Sequence, residues 1–126
     1  MVSKPSVAAS VKPLAPHLRK GQQAENMACD YLLAQGLSLI TRNYTTRCGE
    51  IDLIMLDNNV LVFVEVRYRH NNQYGGAAAS IGYKKQQRIR NTAALYLQKQ
   101  GCHYPARFDV CAINGNMQIN WIKQAF

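Results

Sequence analysis

Acidic residues are scarce in this chain, and so are long apolar runs. Of its 126 residues only seven are Asp or Glu, against fifteen Lys or Arg. No run of about 18 apolar residues occurs, which excludes an ordinary membrane-spanning helix. The first residues lack the apolar stretch of a signal peptide. We therefore interpret residues 1–17 as a flexible basic leader and residues 18–126 as one domain.

Cysteine is also sparse and has no metal-binding spacing. The four cysteines are Cys29, Cys48, Cys102 and Cys111. None forms a Cys-x-x-Cys pair and no histidine lies at zinc-finger spacing, which excludes the common small zinc modules. We predict reduced thiols in a cytoplasmic protein, although a disulfide between two of them remains open.

The net charge of the chain is strongly positive. The formal net charge is +8 and the sequence pI is about 9.6. A basic domain favours a polyanionic partner, usually nucleic acid. The alternative is that small basic proteins simply repel one another and stay in solution. The distribution of charge supports the first interpretation, because three of the seven acids, Glu50, Asp52 and Glu65, lie on the two strands of one predicted hairpin.

That hairpin is predicted from two apolar segments and a turn. Gly49–Ile54 and Val60–Arg67 have the composition of strands, and Asp57-Asn58-Asn59 between them is typical of a turn. Both faces of the second segment are largely apolar, which predicts a central, covered strand. A buried Glu65 on such a strand needs a partner or a metal ion.

The turn also predicts which residues face each other. With Asn58 and Asn59 as the two central turn residues, antiparallel pairing places Asp52 opposite Glu65. The same register places Glu50 opposite Arg67. Like charges directly opposite one another destabilise a sheet. A divalent cation bound between two carboxylates removes that repulsion, because hard cations take oxygen ligands.

Periodicity and turn signals predict the remaining elements. They are a helix at about Lys20–Gln35, a strand at Leu37–Tyr44, a loop at Arg69–Ala79, a helix at about Ser80–Gln100 with Ser80 as N-cap, and strands at Arg107–Ile113 and Met117–Ile122. Glu25 lies on the flank of the buried face of the first helix. The order α-β-β-β-α-β-β predicts an α/β fold with a mixed central sheet flanked by helices.

These motifs carry a resemblance. Asp52 followed by Glu65-Val66-Arg67 resembles the PD-(D/E)XK nuclease motif, and the chain resembles the bacterial YraN family of predicted endonucleases, which are related to archaeal Holliday junction resolvases. The matching segments are Gly21–Glu25, Gly49–Ile54, Val62–Arg69 and Arg107–Val110. The resemblance implies a restriction-endonuclease-like core of order αβββαβ. It also implies metal-dependent hydrolysis of phosphodiester bonds.

The resemblance implies a role for each residue of the site. Asp52 and Glu65 would bind Mg²⁺ or Mn²⁺, with the carbonyl of Val66 and the carboxylate of Glu25 completing the shell. Arg67 would help to position and polarise the attacking water. Two departures stand out, because Ile51 replaces the proline of the motif and Arg67 replaces its lysine.

The arginine is the more serious departure. Arg67 stays protonated and cannot act as a general base, although it can grip a phosphate. Lys84, at the start of the second helix, is a candidate to supply an ammonium group instead. The loss of the motif lysine leaves a second function open, a nucleic-acid-binding module that keeps the nuclease fold without turnover. A third is an interaction protein whose basic face meets an acidic partner.

Other roles remain open for several of these acids. Asp52 could form an ion pair with Arg67 or Arg69 instead of binding metal. Glu50 is interpreted as a cross-strand partner of Arg67. Asp109 lies two residues after Arg107 and is interpreted as a structural acid.

The predicted DNA-binding residues surround the start of the second helix. They are Arg69, Lys84, Lys85 and Arg88, with Arg90, His70 and Tyr74 as extensions of the same track. The alternative is a solvated helical face. Contacts of this kind hold the DNA backbone and carry no sequence information. The expected partner is DNA, branched or single-stranded, and cutting a junction would need two active sites, which favours a homodimer.

Overall fold

A computed structural model describes residues 16–69, 81–101 and 103–126, with side chains described from Gly21 onward. The elements are α1 at Pro16–Ala34, β1 at Ser38–Thr46, β2 at Gly49–Asp57, β3 at Val60–Tyr68, α2 at Tyr83–Gln100, β4 at Ala106–Ile113 and β5 at Ile119–Ile122. This is the predicted order. Within the described ranges, neither helix is both long and apolar enough to cross a membrane.

The five strands form one mixed sheet in the order β1-β2-β3-β4-β5. Neighbouring strands are antiparallel except β3 and β4, which are parallel. A parallel pair needs a crossover connection, and α2 lies in the connection between β3 and β4. The architecture is that of a restriction-endonuclease-like α/β fold, as predicted.

One helix covers each face of the sheet. The α1 core is a buried cluster that includes Ala28, Leu32, Leu53, Val62 and Val64. The α2 core is a second cluster that includes Ile54, Phe63, Ile89, Ala93 and Tyr96. β3 contributes to both cores, and this confirms the prediction of a central strand covered on both faces.

The hairpin has the predicted register but a shorter ladder. Pairing runs from Asp57 with Val60 to Leu53 with Val64, and Asn58 adopts the left-handed conformation with φ of 54°. The ladder ends there, so the predicted backbone opposition of Asp52 and Glu65 is wrong. Twist and separation of the strands account for this, because β2 continues beyond Leu53 as a partner of β1 alone.

The predicted opposition of Glu50 and Arg67 is wrong for the same reason. Glu50 lies opposite Thr45 of β1, and its carboxylate accepts a hydrogen bond of 3.2 Å from the Thr45 hydroxyl. The first residues of β2, 49–51, therefore pair with β1 alone. The ladder between β2 and β3 is open beside them, and we call this opening the gap between β2 and β3.

Element boundaries differ from the prediction at the helix starts. α1 begins at Pro16, inside the stretch predicted to be a leader. α2 begins at Tyr83 with Gly82 at the N-cap position, so the prediction of Ser80 as N-cap is wrong. Ser80, His70 and Tyr74 lie outside the described residues, as does nearly all of the predicted loop.

The cysteines agree with the prediction where they are described. Cys29, Cys48 and Cys111 are free thiols, and Cys29 and Cys111 are buried. Cys102 lies outside the described residues.

Candidate metal centre

The regular alternation of side chains along β2 is interrupted at Asp52. Ile51 packs in the α2 core and Leu53 in the α1 core, although residues two apart in a regular strand share a face. Asn43, on the neighbouring strand β1, has a left-handed φ of 54° at the corresponding point of the pairing. Asp52 therefore belongs to neither core, and its side chain extends into the gap between β2 and β3.

In that gap the Asp52 carboxyl meets β3. Its Oδ2 accepts a hydrogen bond of 2.8 Å from the backbone N–H of Val66. Glu65, the residue before Val66, lines the same cavity as Asp52, and its charge acts on the Asp52 carboxyl. The two predicted metal ligands thus interact through their side chains, even though their backbones are not paired.

Burial and acidic neighbours make ionisation of Asp52 unfavourable. Burial is the largest effect and the charge of Glu65 the next, and together they raise the pKa of Asp52 to about 8 against the opposing hydrogen bond from Val66. Without a cation, the Asp52 carboxyl therefore keeps a proton at neutral pH. That proton is what a bound metal ion would replace.

Glu65 is paired with a lysine from α2. Its side chain is only 7% exposed, and its Oε2 lies 2.5 Å from Nζ of Lys85, a side chain that is 46% exposed. Lys84, the lysine predicted to supply an ammonium group, is exposed on the helix surface. The ammonium that reaches the acid pair is therefore that of Lys85.

A tight helix contact places Lys85 there. Gly49 at the start of β2 has φ of 149°, and a Cβ at that position would lie 3.3 Å from Oγ1 of Thr92 and 3.4 Å from Cβ of Arg88. The absence of a side chain at Gly49 thus lets α2 approach the start of β2 closely. Thr92 is fully buried at this contact.

Two cavities meet at Asp52 and Val66. The first, beside α2, has a volume of about 260 Å³ and is also lined by Glu50, Glu65, Lys85 and Arg88. The second, beside α1, has a volume of about 290 Å³ and is also lined by Gln22, Glu25 and Tyr68. Asp52 is therefore accessible from both cavities.

Glu25 is held at the second cavity by residues of β1. Its Oε1 accepts hydrogen bonds from Nη2 of Arg42 at 3.0 Å and from Nδ2 of Asn43 at 2.9 Å. Its charge contributes to the raised pKa of Asp52, so the two acids lie within electrostatic range. Neither Arg42 nor Asn43 was predicted as part of the site. The available signal was an Asn that tolerates the left-handed conformation within a strand.

Of the three predicted acidic ligands, Asp52 and Glu65 line one cavity, and Glu25 lies beside the second cavity, which Asp52 also lines. Among the described residues, no group of three or more His, Cys, Asp or Glu side chains is close enough to hold a metal ion together. Asp52 and Glu65 are brought together, while Glu25 is bound to Arg42 and Asn43. The participation of Glu25 and of the Val66 carbonyl in a metal shell stays a prediction.

The donor set nevertheless fits a hard divalent cation. Mg²⁺ is commonly bound by one or two carboxylates, with water and substrate phosphate as its other ligands. Asp52 and Glu65 provide two such carboxylates, and the adjoining cavity provides space for the remaining ligands. Two acids that repel each other also gain more from a cation than a single exposed acid does.

Basic residues lie around this pair. Arg69, Lys84 and Arg88 are exposed, and Arg88 lines the first cavity with Lys85. Burial lowers the pKa of Arg67, as does the charge of Arg69, whereas Glu65 acts in the opposite direction. Arg67 is thus within electrostatic range of Glu65, as its position on β3 predicted. The DNA contacts of these residues stay predictions.

Asp109 has the predicted structural role. It is fully buried and accepts hydrogen bonds from Nε of Arg107 at 3.0 Å, the indole N–H of Trp121 at 2.9 Å and the backbone N–H of Gln124 at 3.1 Å. Arg107 also bridges to Asp57 at 3.0 Å. This cluster joins β4 to β5 and to the end of β2, and it lies apart from both cavities at Asp52.

The protein is therefore an α/β protein with a restriction-endonuclease-like core, in which two carboxyl groups, those of Asp52 and Glu65, line one cavity. The model of the uncharacterised protein family UPF0102 matches residues 24–113, a span that includes Glu25, Asp52, Glu65 and Lys85. The chain belongs to this family, which is the YraN family that the motifs indicated.

Individual relatives match over most of the chain. A UPF0102 protein of Nitrosococcus oceani is 50% identical over 121 residues, which cover 92% of this chain and 97% of the relative. One of Pseudomonas putida strain W619 is 45% identical over 120 residues, with coverage of 90% and 98%. One of Nitrosomonas eutropha is 49% identical over 107 residues, with coverage of 85% and 92%. Their names assign no activity.

Proposed function

We propose that this chain is a metal-dependent endonuclease-like protein that binds DNA through its backbone and hydrolyses phosphodiester bonds. The observation that carries this proposal is that Asp52 and Glu65 line one cavity together with Lys85 and Arg88. Two ionised acids as close as Asp52 and Glu65, of which Glu65 is buried, repel each other and lower the stability of the fold. A site that recruits a cation and then a phosphate gives the arrangement a purpose.

Each residue has a part in the proposed reaction. Asp52 and Glu65 would hold Mg²⁺ or Mn²⁺, which when bound supplies Lewis acidity and an activated water. Glu25 and the Val66 carbonyl would complete the shell, directly or through water. Arg67, always charged, contacts the phosphate or orients the water and does not act as a base.

DNA binding is proposed to follow from the charge around the first cavity. Lys85 and Arg88 line it. Lys84, next to Lys85 in sequence, and Arg69, next to the last residue of β3, are exposed. α2 begins there with no acid in its first turn, so its N-terminal N–H groups add a positive field. These groups suit phosphate oxygens of any sequence, and their affinity for DNA should fall as salt rises.

Cleavage assays test this proposal. Purified protein is incubated with Mg²⁺ or Mn²⁺ on branched and single-stranded DNA, and the Asp52→Asn and Glu65→Gln variants are compared with Asp30→Asn. Asp30 is an exposed acid on α1 and serves as the matched control. We expect cleavage by wild type and Asp30→Asn and a loss of roughly 100-fold or more in both site variants. No cleavage by wild type on any substrate would defeat the enzyme proposal.

A second candidate is a nucleic-acid-binding module without turnover. The observation that favours it is Arg67 at the position where the motif has lysine, together with an ion pair that ties up Lys85. Salt-sensitive DNA binding that persists in the Glu65→Gln variant, with no cleavage by wild type, would support the module. Its proposed compartment is the cytoplasm, which the free thiols of Cys29 and Cys111 support.

A further inference from the structure

The ion pair between Lys85 and Glu65 joins a buried carboxylate to a lysine that solvent can reach. Glu65 needs a positive partner because its side chain is 7% exposed and an unpaired buried carboxylate is costly. Lys85 satisfies it by extending from α2, and the lysine side chain keeps 46% of its surface exposed. The lysine therefore occupies the position at Glu65 that a divalent cation would take.

The two cations exclude each other. Lys85 Nζ is already in contact with Oε2 of Glu65, so a metal ion bound to the same carboxylate would lie a few ångströms from the ammonium. Repulsion at such a distance is large where water is scarce. Either Lys85 or the metal ion can bind Glu65, but not both at full strength.

We propose that Lys85 is an exchangeable counter-ion of the metal centre: it binds Glu65 in the metal-free protein, and a divalent cation displaces it toward the phosphate of bound DNA. The inference rests on the proposed function and adds a link between its two ligands. A released ammonium group in the cavity with Arg88 adds one positive charge for a phosphate. Metal ion and DNA therefore each strengthen the binding of the other, by the same factor.

The surroundings of Lys85 suit such a movement. Its ammonium is carried on a flexible four-carbon stem, and its half-exposed side chain can rotate without disturbing the core. Arg88, one turn further along α2, lines the same cavity and has no need to move. Lys84 is adjacent in sequence and exposed, so it provides a control of equal charge on the same helix.

Calorimetry with Ca²⁺ and no DNA tests the exchange directly. Loss of the competing ammonium in Lys85→Ala should tighten Ca²⁺ binding by roughly threefold or more, whereas Lys84→Ala should bind Ca²⁺ as wild type does. Lys85→Arg keeps the charge and should restore the wild-type affinity. Melting in EDTA shows whether the variants are folded, and Ca²⁺ should raise the melting temperature of Lys85→Ala more than that of wild type.

Fluorescence anisotropy with a labelled single-stranded oligonucleotide tests the link. In wild type and in Lys99→Ala, a control at an exposed lysine in the last turn of α2, Ca²⁺ should tighten DNA binding by roughly fivefold or more relative to EDTA. In Lys85→Ala that ratio should fall by about half or more, because the displaced ammonium is missing.

The outcomes separate this inference from the proposed function. Equal Ca²⁺ affinity in wild type and Lys85→Ala overturns the exchange and leaves the metal centre intact. Weaker Ca²⁺ binding in Lys85→Ala also overturns it, since the lysine would then support the metal ion. Absence of Ca²⁺ and Mn²⁺ binding to wild type overturns both the inference and the proposed function.

Discussion

Two acid clusters on adjacent strands show what distinguishes a structural acid from a candidate site. Asp109 on β4 is fully buried, and donors from Arg107, Trp121 and Gln124 satisfy its carboxylate. Glu65, on the neighbouring strand β3, is also buried, but its partners are another acid and a half-exposed lysine. Burial is therefore common to both clusters, and the identity of the neighbours differs.

Because the neighbours differ, removing an acid should affect the stability of the protein in opposite ways in the two clusters. The Asp109 cluster is complete within the chain itself, so removing its acid leaves buried donors without an acceptor. The Asp52–Glu65 pair has two acids and one lysine partner, so removing one acid relieves repulsion once Asp52 is ionised. Substitutions in the two clusters should move stability in opposite directions.

The largest effect is expected at Asp109. Asp109→Ala leaves the Nε–H of Arg107 and the indole N–H of Trp121 without their acceptor, and should lower the free energy of unfolding by about 3–5 kcal/mol. Urea denaturation measures the change. The exposed Asp30→Ala control should stay within about 0.5 kcal/mol of wild type. A loss at Asp109 as small as that of the control would contradict the structural role.

The next effect concerns the glycine that lets α2 approach the acid pair. Gly49→Ala places a Cβ 3.3 Å from Thr92 Oγ1 at a φ of 149°, and should lower the free energy of unfolding by about 1–3 kcal/mol. Gly21→Ala, in α1 with nothing within 4 Å of the new Cβ, should instead raise it by about 0.5–1 kcal/mol. Thermal or urea denaturation of both variants tests the contrast, and equal changes of the same sign would refute it.

A smaller effect of opposite sign to that at Asp109 is expected for Asp52→Asn. The amide keeps an acceptor for the Val66 N–H and removes one of two facing charges. In EDTA at pH 9 the variant should be more stable than wild type by at least roughly 0.5 kcal/mol, the lower range for like-charged neighbours on a sheet. A destabilised Asp52→Asn variant would show that the pair is not repulsive.

The pH dependence of the same comparison tests the raised pKa of Asp52 directly. The pKa of Asp52 is raised from its ordinary 3.8 to about 8, so the folded state binds this proton more tightly than the unfolded state. The contribution of Asp52 to stability is therefore fully present below about pH 4 and is lost as pH rises through about 8. The stability advantage of Asp52→Asn should grow across this window and then level off. A difference that is constant with pH would argue against the raised pKa.

The sequence predicted the parts of the fold that depend on local pattern. The Asp57-Asn58-Asn59 turn gave the correct hairpin register, because side-chain alternation and turn length determine pairing together. The apolar faces of β3 predicted a central strand for the same reason. Asp109 was correctly interpreted from its spacing to Arg107.

The parts that failed depend on contacts distant in sequence. The hairpin ladder ends at Leu53 because β2 continues with β1, and no local pattern records where two strands separate. The choice between Lys84 and Lys85 depends on the rotation of α2 against the sheet, where Thr92 and Arg88 pack close to Gly49. The hold of Arg42 and Asn43 on Glu25 likewise joins α1 to β1 across the fold.

Calorimetric titration with Mn²⁺ at pH 7 tests the central claim most directly. Wild type should bind Mn²⁺ saturably and, in buffers of different ionisation enthalpy, release close to one proton, because the pKa of Asp52 is raised to about 8 without metal. Glu65→Gln should lose this binding, while Asp30→Asn should retain it. Equal binding by wild type and Glu65→Gln, or no saturable binding by wild type, would contradict the assignment of the acid pair as a metal centre.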